Sequence, residues 1–152
     1  FWLNQKSPVI GMTLRYDRID NFWFVLRHEI EHLLNKDGQT SKLSSDMVDM
    51  DLDKDVDGLP PEEVKANLAA ANYCVDQDAL ESFYIRKYPY ISERDTLGLA
   101  KRLQRHPGIV VGQLQRKMDK YNWLTKHKVK IRQFLLGGVA VDGWGNPAPV
   151  SL

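Results

Sequence analysis

Three side chains in the stretch Asn21 to Leu34 have the types and spacing for metal chemistry: His28, Glu29 and His32, in an H-E-x-x-H arrangement. On a helix, residues four apart stand one turn above each other on the same face. Two imidazoles so placed can bind one zinc ion, and the glutamate after the first can act as general base toward water at that ion. In such a centre zinc lowers the pKa of its water toward about 7 and polarises a scissile carbonyl. Glu29 would accept the water proton and pass it to the leaving amine.

The elements around the motif must place it on a helix and bring up a third ligand. Phe22, Leu26, Ile30, Leu33 and Leu34 recur at helical spacing, which predicts an amphipathic helix over Asn21–Lys36 with that stripe buried. Val25, His28 and His32 fall on an adjacent stripe facing a cleft. Lys36 suits the negative end, and Gly38 is the expected stop. The competing reading of the motif is a core helix with two polar-paired histidines.

A catalytic zinc takes three protein ligands and keeps one position open. Pro61 suits the first position of a second helix, with Glu62 and Glu63 in its positive first turn. Glu63 is the expected third ligand, beside the small residues Ala66, Ala69, Ala70 and Ala71, which permit close helix approach. Glu62 is its competitor, since one residue turns a side chain about 100° around the axis. Glu31 is expected to point away from the imidazoles. Asn67 and the Asp51/Asp53 pair are candidates to orient the ligand histidines. Val64, Leu68, Ala71 and Val75 are the predicted buried stripe of this second helix.

Alternation predicts strands over Pro8–Tyr16 and around Val48–Leu52. Asp53-Lys-Asp-Val-Asp-Gly58 has the opening of a calcium loop, but its twelfth position is Val64 where the bidentate glutamate belongs; it reads as a solvated acidic turn. Asp76 to Tyr84 predicts a short helix. Ser92-Glu-Arg-Asp95 is a capping box with Asp for Glu, opening a helix that carries Leu97, Ala100 and Leu103. Pro107 starts another with Ile109, Val110 and Leu114, and Trp123 to Leu136 predicts a last amphipathic segment.

The 152 residues are enough for one domain with a core, and 43% hydrophobic with 27% charged residues is an ordinary globular composition. A net charge of +1 gives no global field toward nucleic acid or anionic membranes, although acids crowd into Asp46–Glu63 and bases into Arg94–Arg132. One cysteine, Cys74, excludes an internal disulfide framework and fits a reducing compartment. No apolar run is long enough to span a bilayer, and the start, Phe-Trp-Leu-Asn-Gln-Lys, has no signal-peptide pattern. The expected location is cytoplasmic, and the start reads as the interior of a longer chain.

The run from Ser7 through His32, with its Ile-Asp-Asn-Phe-Trp-Phe-Val-Leu-Arg-His-Glu-Ile-Glu-His segment, resembles the ImmA/IrrE family of zincin-like metallopeptidases. It looks closest to the version attached to a helix-turn-helix in HigA-type antitoxins and related regulators. Glu63-Val-Lys-Ala-Asn67 resembles the family's Glu-x-x-Ala-Asn segment, whose glutamate is the third metal ligand. His106-Pro-Gly-Ile-Val-Val-Gly-Gln-Leu-Gln115 resembles its downstream His-Pro-Gly segment. Glu31 departs from the Gly or Ala of many relatives, and Ala69 from their Phe.

The resemblance covers roughly Trp2 to Phe134. It implies an α+β zincin-like domain over 1–136, a small sheet packed on the H-E-x-x-H helix, and a Gly/Pro-rich irregular tail over 137–152. It implies zinc held by His28, His32 and Glu63, with Glu29 catalytic. The partner is a protein or peptide, such as a repressor or toxin, with DNA contacted only through a helix-turn-helix outside these residues. Two rival readings stand beside the peptidase. One is a catalytically silent zincin-fold interaction module. The other is a DNA-binding module at Ser92–Lys117, two short helices with Lys101, Arg102, Arg105, Arg116 and Lys117.

Overall fold

The computed structural model describes residues 2–4, 6–13, 16–37 and 59–135. They are mostly helical: α1 (Ile19–Asn35), α2 (Pro61–Cys74), α3 (Gln77–Lys87), α4 (Glu93–Leu103), α5 (Pro107–Met118) and a last turn α6 (Arg132–Leu135). A short 3-10 turn at Thr125–His127 lies between α5 and α6. Among the described residues strand structure is limited to β1 (Trp2–Asn4) paired antiparallel with β2 (Ser7–Pro8). Among the described residues no sheet packs on α1, so the expected α+β architecture reduces here to a mainly helical one. The strand expected over Pro8–Tyr16 ends at Pro8, and residues 9–13 are irregular. Proline lacks the N–H that would carry the ladder onward. The expected strand at Val48–Leu52, the acidic turn at Asp53–Gly58, the stop at Gly38 and the tail at 137–152 lie outside the described residues.

Local signals set most helix starts. Pro61 and Pro107 each occupy a first-turn position. Asp76 caps α3 by accepting from the Ala79 N–H at 2.8 Å. Ser92 and Asp95 form the predicted capping box, the Asp95 N–H donating to Ser92 Oγ at 3.1 Å and the Ser92 N–H to Asp95 Oδ2 at 3.3 Å. The α1 start has no side-chain cap; its first N–H, on Ile19, is satisfied by the Val129 carbonyl at 3.0 Å.

One core cluster joins α1 through α5, with Phe24, Val75, Leu80, Val110 and Leu114 among its buried members. The buried face of α1 is Asn21, Phe24, His28 and His32, not the expected stripe, and Leu34 is 69% exposed. The buried face of α2 is Glu63, Ala66, Ala70 and Cys74, while Leu68 is 60% exposed. Small residues win on α2 because α1 lies directly against them, and only alanines allow that approach. Cys74 is buried there as a free thiol, and burial pushes its pKa up to about 11.

The expected helix over Trp123–Leu136 is not continuous. Its middle is recruited elsewhere: besides the Val129 carbonyl on α1, the Ile131 and Arg132 N–H groups donate to Asp17 Oδ1 at 2.9 and 2.8 Å. The Asp17 carboxylate thus caps the start of the short α6, and the Val129 carbonyl, spent on Ile19, is lost to any helix continuing through it. Gly108 makes this packing possible, since a Cβ there would stand 2.3 Å from the His127 carbonyl oxygen. No helix among the described residues is long and apolar enough to cross a membrane.

Candidate metal centre

The site forms where the C-terminal half of α1 crosses the first turns of α2. His28 and His32 reach the same point from successive turns, their Nε2 atoms 3.0 Å apart. Glu63 meets them from α2, with Oε2 at 3.2 Å from His28 Nε2 and Oε1 at 3.3 Å from His32 Nε2. All three are 5–6% exposed. Glu62 is exposed, so of the two candidate glutamates it is Glu63 that joins the histidines. A buried carboxylate is tolerable at this position because it lies in the positive first turn of α2.

The outer nitrogens fix which atoms face inward. His28 Nδ1 lies 3.0 Å from Asn67 Oδ1, and His32 Nδ1 lies 2.9 Å from Asp37 Oδ2. Both partners are oxygen acceptors, which assigns the ring proton to Nδ1 in each histidine and leaves Nε2 as a lone pair. Burial first, then the neighbouring His32, lowers the His28 pKa below its ordinary value, which favours the neutral ring. Two lone pairs and a carboxylate therefore point at one another without a donor among them. Glu63 Oε2 is a buried oxygen with no hydrogen-bond partner among the described residues. Such an arrangement calls for a cation at its centre, and an N, N, O donor set suits zinc among other transition metals. The ligand atoms lie within 4.8 Å of one another, the grouping a single ion needs.

Asp37 was not foreseen from the sequence. The helix ends at Lys36, which takes a left-handed conformation (φ 60°), and the Asp37 N–H turns back to the His32 carbonyl at 2.9 Å. That reversal carries the Asp37 carboxylate beside the His32 ring. The available signal was an acid five residues beyond His32, next to a helix stop. Asn67 stands where the sequence suggested, and Asp51 and Asp53 lie outside the described residues.

Glu29 follows His28 on α1, half-buried, and its carboxylate has no hydrogen-bond or ion-pair partner among the described residues. Its charge is near enough to act on the His28 ring. Glu31 is turned away, as expected. It accepts from Arg27 at 2.7 Å and from the Asn35 amide at 3.3 Å, and the Asn35 side chain in turn accepts from Lys65 on α2. This chain of contacts clamps the outer faces of α1 and α2 together.

The helix pair proposed for DNA, α4 and α5, does form, joined through Gln104–His106. Ile109, Val110 and Val111, at the start of α5, are buried, so that end presents no side chain to a groove. Comparison of the chain with protein-family models, with curated proteins and with solved structures finds no match.

Proposed function

We propose that this chain is a zinc-dependent metallopeptidase domain of zincin-like, ImmA/IrrE type, hydrolysing or sensing a partner protein such as a repressor or toxin. The observation that carries this reading is the convergence of His28 Nε2, His32 Nε2 and the Glu63 carboxylate within 3.0–3.3 Å, next to an unpartnered Glu29. When bound at these three side chains, zinc supplies a Lewis acid that acidifies water and polarises a carbonyl. Asn67 and Asp37 hold the two rings in the tautomer that offers Nε2. Glu29 takes the proton from the attacking water and returns it to the leaving amine nitrogen.

A second reading, a metal-bound but catalytically silent interaction module, is favoured by one feature. The three ligands are each only 5–6% exposed, and closed metal sites are more often structural than catalytic. Metal analysis combined with Glu29→Gln separates the two. The peptidase reading expects bound zinc in both proteins and a fall of about 10²–10⁴ in turnover for the variant. An undiminished biological effect in the zinc-loaded variant would assign the silent module.

A further inference from the structure

Two helical turns from the triad, about 10 Å toward the start of α1, a cavity of about 180 Å³ opens between α1, α5 and the segment after α5. Its charged lining is Arg18 and Asp20 from α1 and its cap, with Arg116 and Lys128 opposite, and Asn21, Gln113, Tyr16 and Tyr121 are its neutral polar members. Phe24 and Ile109, both buried, form its apolar floor.

The charges within it are not balanced among themselves. Lys128, with a side chain only 4% exposed, pairs with Asp20 Oδ2 at 3.1 Å and donates to Gln115 Oε1 at 2.5 Å. Gly112 makes room for this pair, since a Cβ there would stand 2.7 Å from Asp20 Oδ2. A glycine inside a helix costs about 0.5–1 kcal/mol, so the cavity wall is built at some expense to α5. With Lys128 satisfied, four groups remain. Arg18 Nε and Asp20 Oδ1 form a long ion pair at 3.7 Å, and neither makes a hydrogen bond among the described residues. The Arg116 guanidinium lies 4.6 Å over the Phe24 ring and makes no hydrogen bond or ion pair among the described residues. Asn21, nine-tenths buried, has an amide without a hydrogen bond among them.

The lining thus carries three cations, Arg18, Arg116 and Lys128, against the single carboxylate of Asp20, and this excess describes what is missing. The surplus positive charge of the Arg18 and Arg116 guanidinium groups suits an anionic ligand, and Asp20 Oδ1, which accepts no hydrogen bond among the described residues, can take one from a donor beside it. We propose that this cavity binds a carboxylate flanked by an N–H donor, with a small apolar side chain resting on Phe24 and Ile109. An α-amino acid and the C-terminal residue of a peptide share that chemistry. Arg18 and Arg116 take the carboxylate, and Asp20 Oδ1 accepts from the adjacent N–H. None of the polar side chains of the cavity is a hydrogen-bond or ion-pair partner of His28, His32 or Glu63, so the site is distinct from the metal centre.

The test is calorimetric titration of the full chain with four probes: leucine, N-acetyl-leucine, leucinamide and inorganic phosphate. Saturable binding of leucine but not N-acetyl-leucine assigns a free amino acid; binding of N-acetyl-leucine assigns a peptide terminus. In either case leucinamide, which lacks the carboxylate, binds at least tenfold more weakly, and Arg116→Gln weakens the bound probe at least tenfold. Arg116 is exposed, so this variant leaves the core intact, and an unchanged melting temperature without ligand checks that. No saturable binding of either carboxylate probe, equal binding of leucinamide, binding of phosphate alone, or unchanged affinity in Arg116→Gln overturns the proposal.

Discussion

Replacing Glu63 with glutamine is expected to change the stability of this protein in opposite directions with and without zinc. In the metal-free protein the carboxylate faces two imidazole lone pairs at 3.2 and 3.3 Å, and Oε2 is buried without a partner. Glutamine has nearly the same shape and brings an N–H₂ that can donate to those lone pairs. Relieving a buried unsatisfied polar atom is worth about 1–3 kcal/mol. Loss of the negative charge from the first turn of α2 takes back about 0.3–1 kcal/mol. The net gain is roughly 0.5–2 kcal/mol, or roughly 2–6 °C in melting temperature for a chain of this size. Zinc at a hundred times its dissociation constant stabilises the unmodified protein by about 2.7 kcal/mol, roughly 8 °C on the same scale. The variant, short of one ligand and one charge, responds weakly. Scanning calorimetry on chelator-treated and zinc-loaded samples of both proteins should therefore show the melting order reversing. A chelated variant that melts below its parent, with no zinc response in the parent, would mean that the carboxylate already has its donors. The triad would then be a hydrogen-bonded core cluster.

Two glycines give a second pair of opposed outcomes. Gly98→Ala, on an exposed part of α4 with nothing within 4 Å of the new Cβ, should stabilise by about 0.5–1 kcal/mol. Gly108→Ala should destabilise by about 1–3 kcal/mol, because its Cβ meets the His127 carbonyl at 2.3 Å; urea midpoints decide both. The Asp95 carboxyl is held down to about 2, first by the Lys87 ammonium and then by the Ser92 hydroxyl. A depressed carboxyl stabilises the fold above its unfolded value of 3.8 and loses that contribution as pH falls toward about 2. In Asp95→Asn, the urea midpoint should fall less over that interval than in the parent, and equal slopes would remove Asp95 from the acid response.

The features legible in the sequence are those whose signal is local. The H-E-x-x-H spacing reads directly because a helix repeats every 3.6 residues. The helix starts at Pro61 and Pro107 and the capping box at Ser92 read because they depend on residues three apart at most. Glu63 and Asn67 could be named because helical spacing puts both on one side of α2. The choice of buried faces was not legible. On α1 and α2 the large apolar residues Leu34 and Leu68 are exposed while Ala66 and Ala70 are fully enclosed. Hydrophobicity ranks residues, but burial follows what a neighbouring helix covers. The break in the last segment was equally hidden, since its Val129 carbonyl is taken by Ile19 and its restart at α6 is capped by Asp17, both more than a hundred positions earlier in the chain.

The sequence alone determined where helices begin and that two imidazoles lie one turn apart, because backbone geometry enforces both within a few residues. Only the tertiary structure decided that Glu63 rather than Glu62 meets them, and that the turn at Lys36 brings Asp37 behind His32. It also decided that Lys128 lies buried against Asp20. Each of these depends on the approach of two segments distant in sequence, which is set by close packing of side chains and not by any periodicity along the chain.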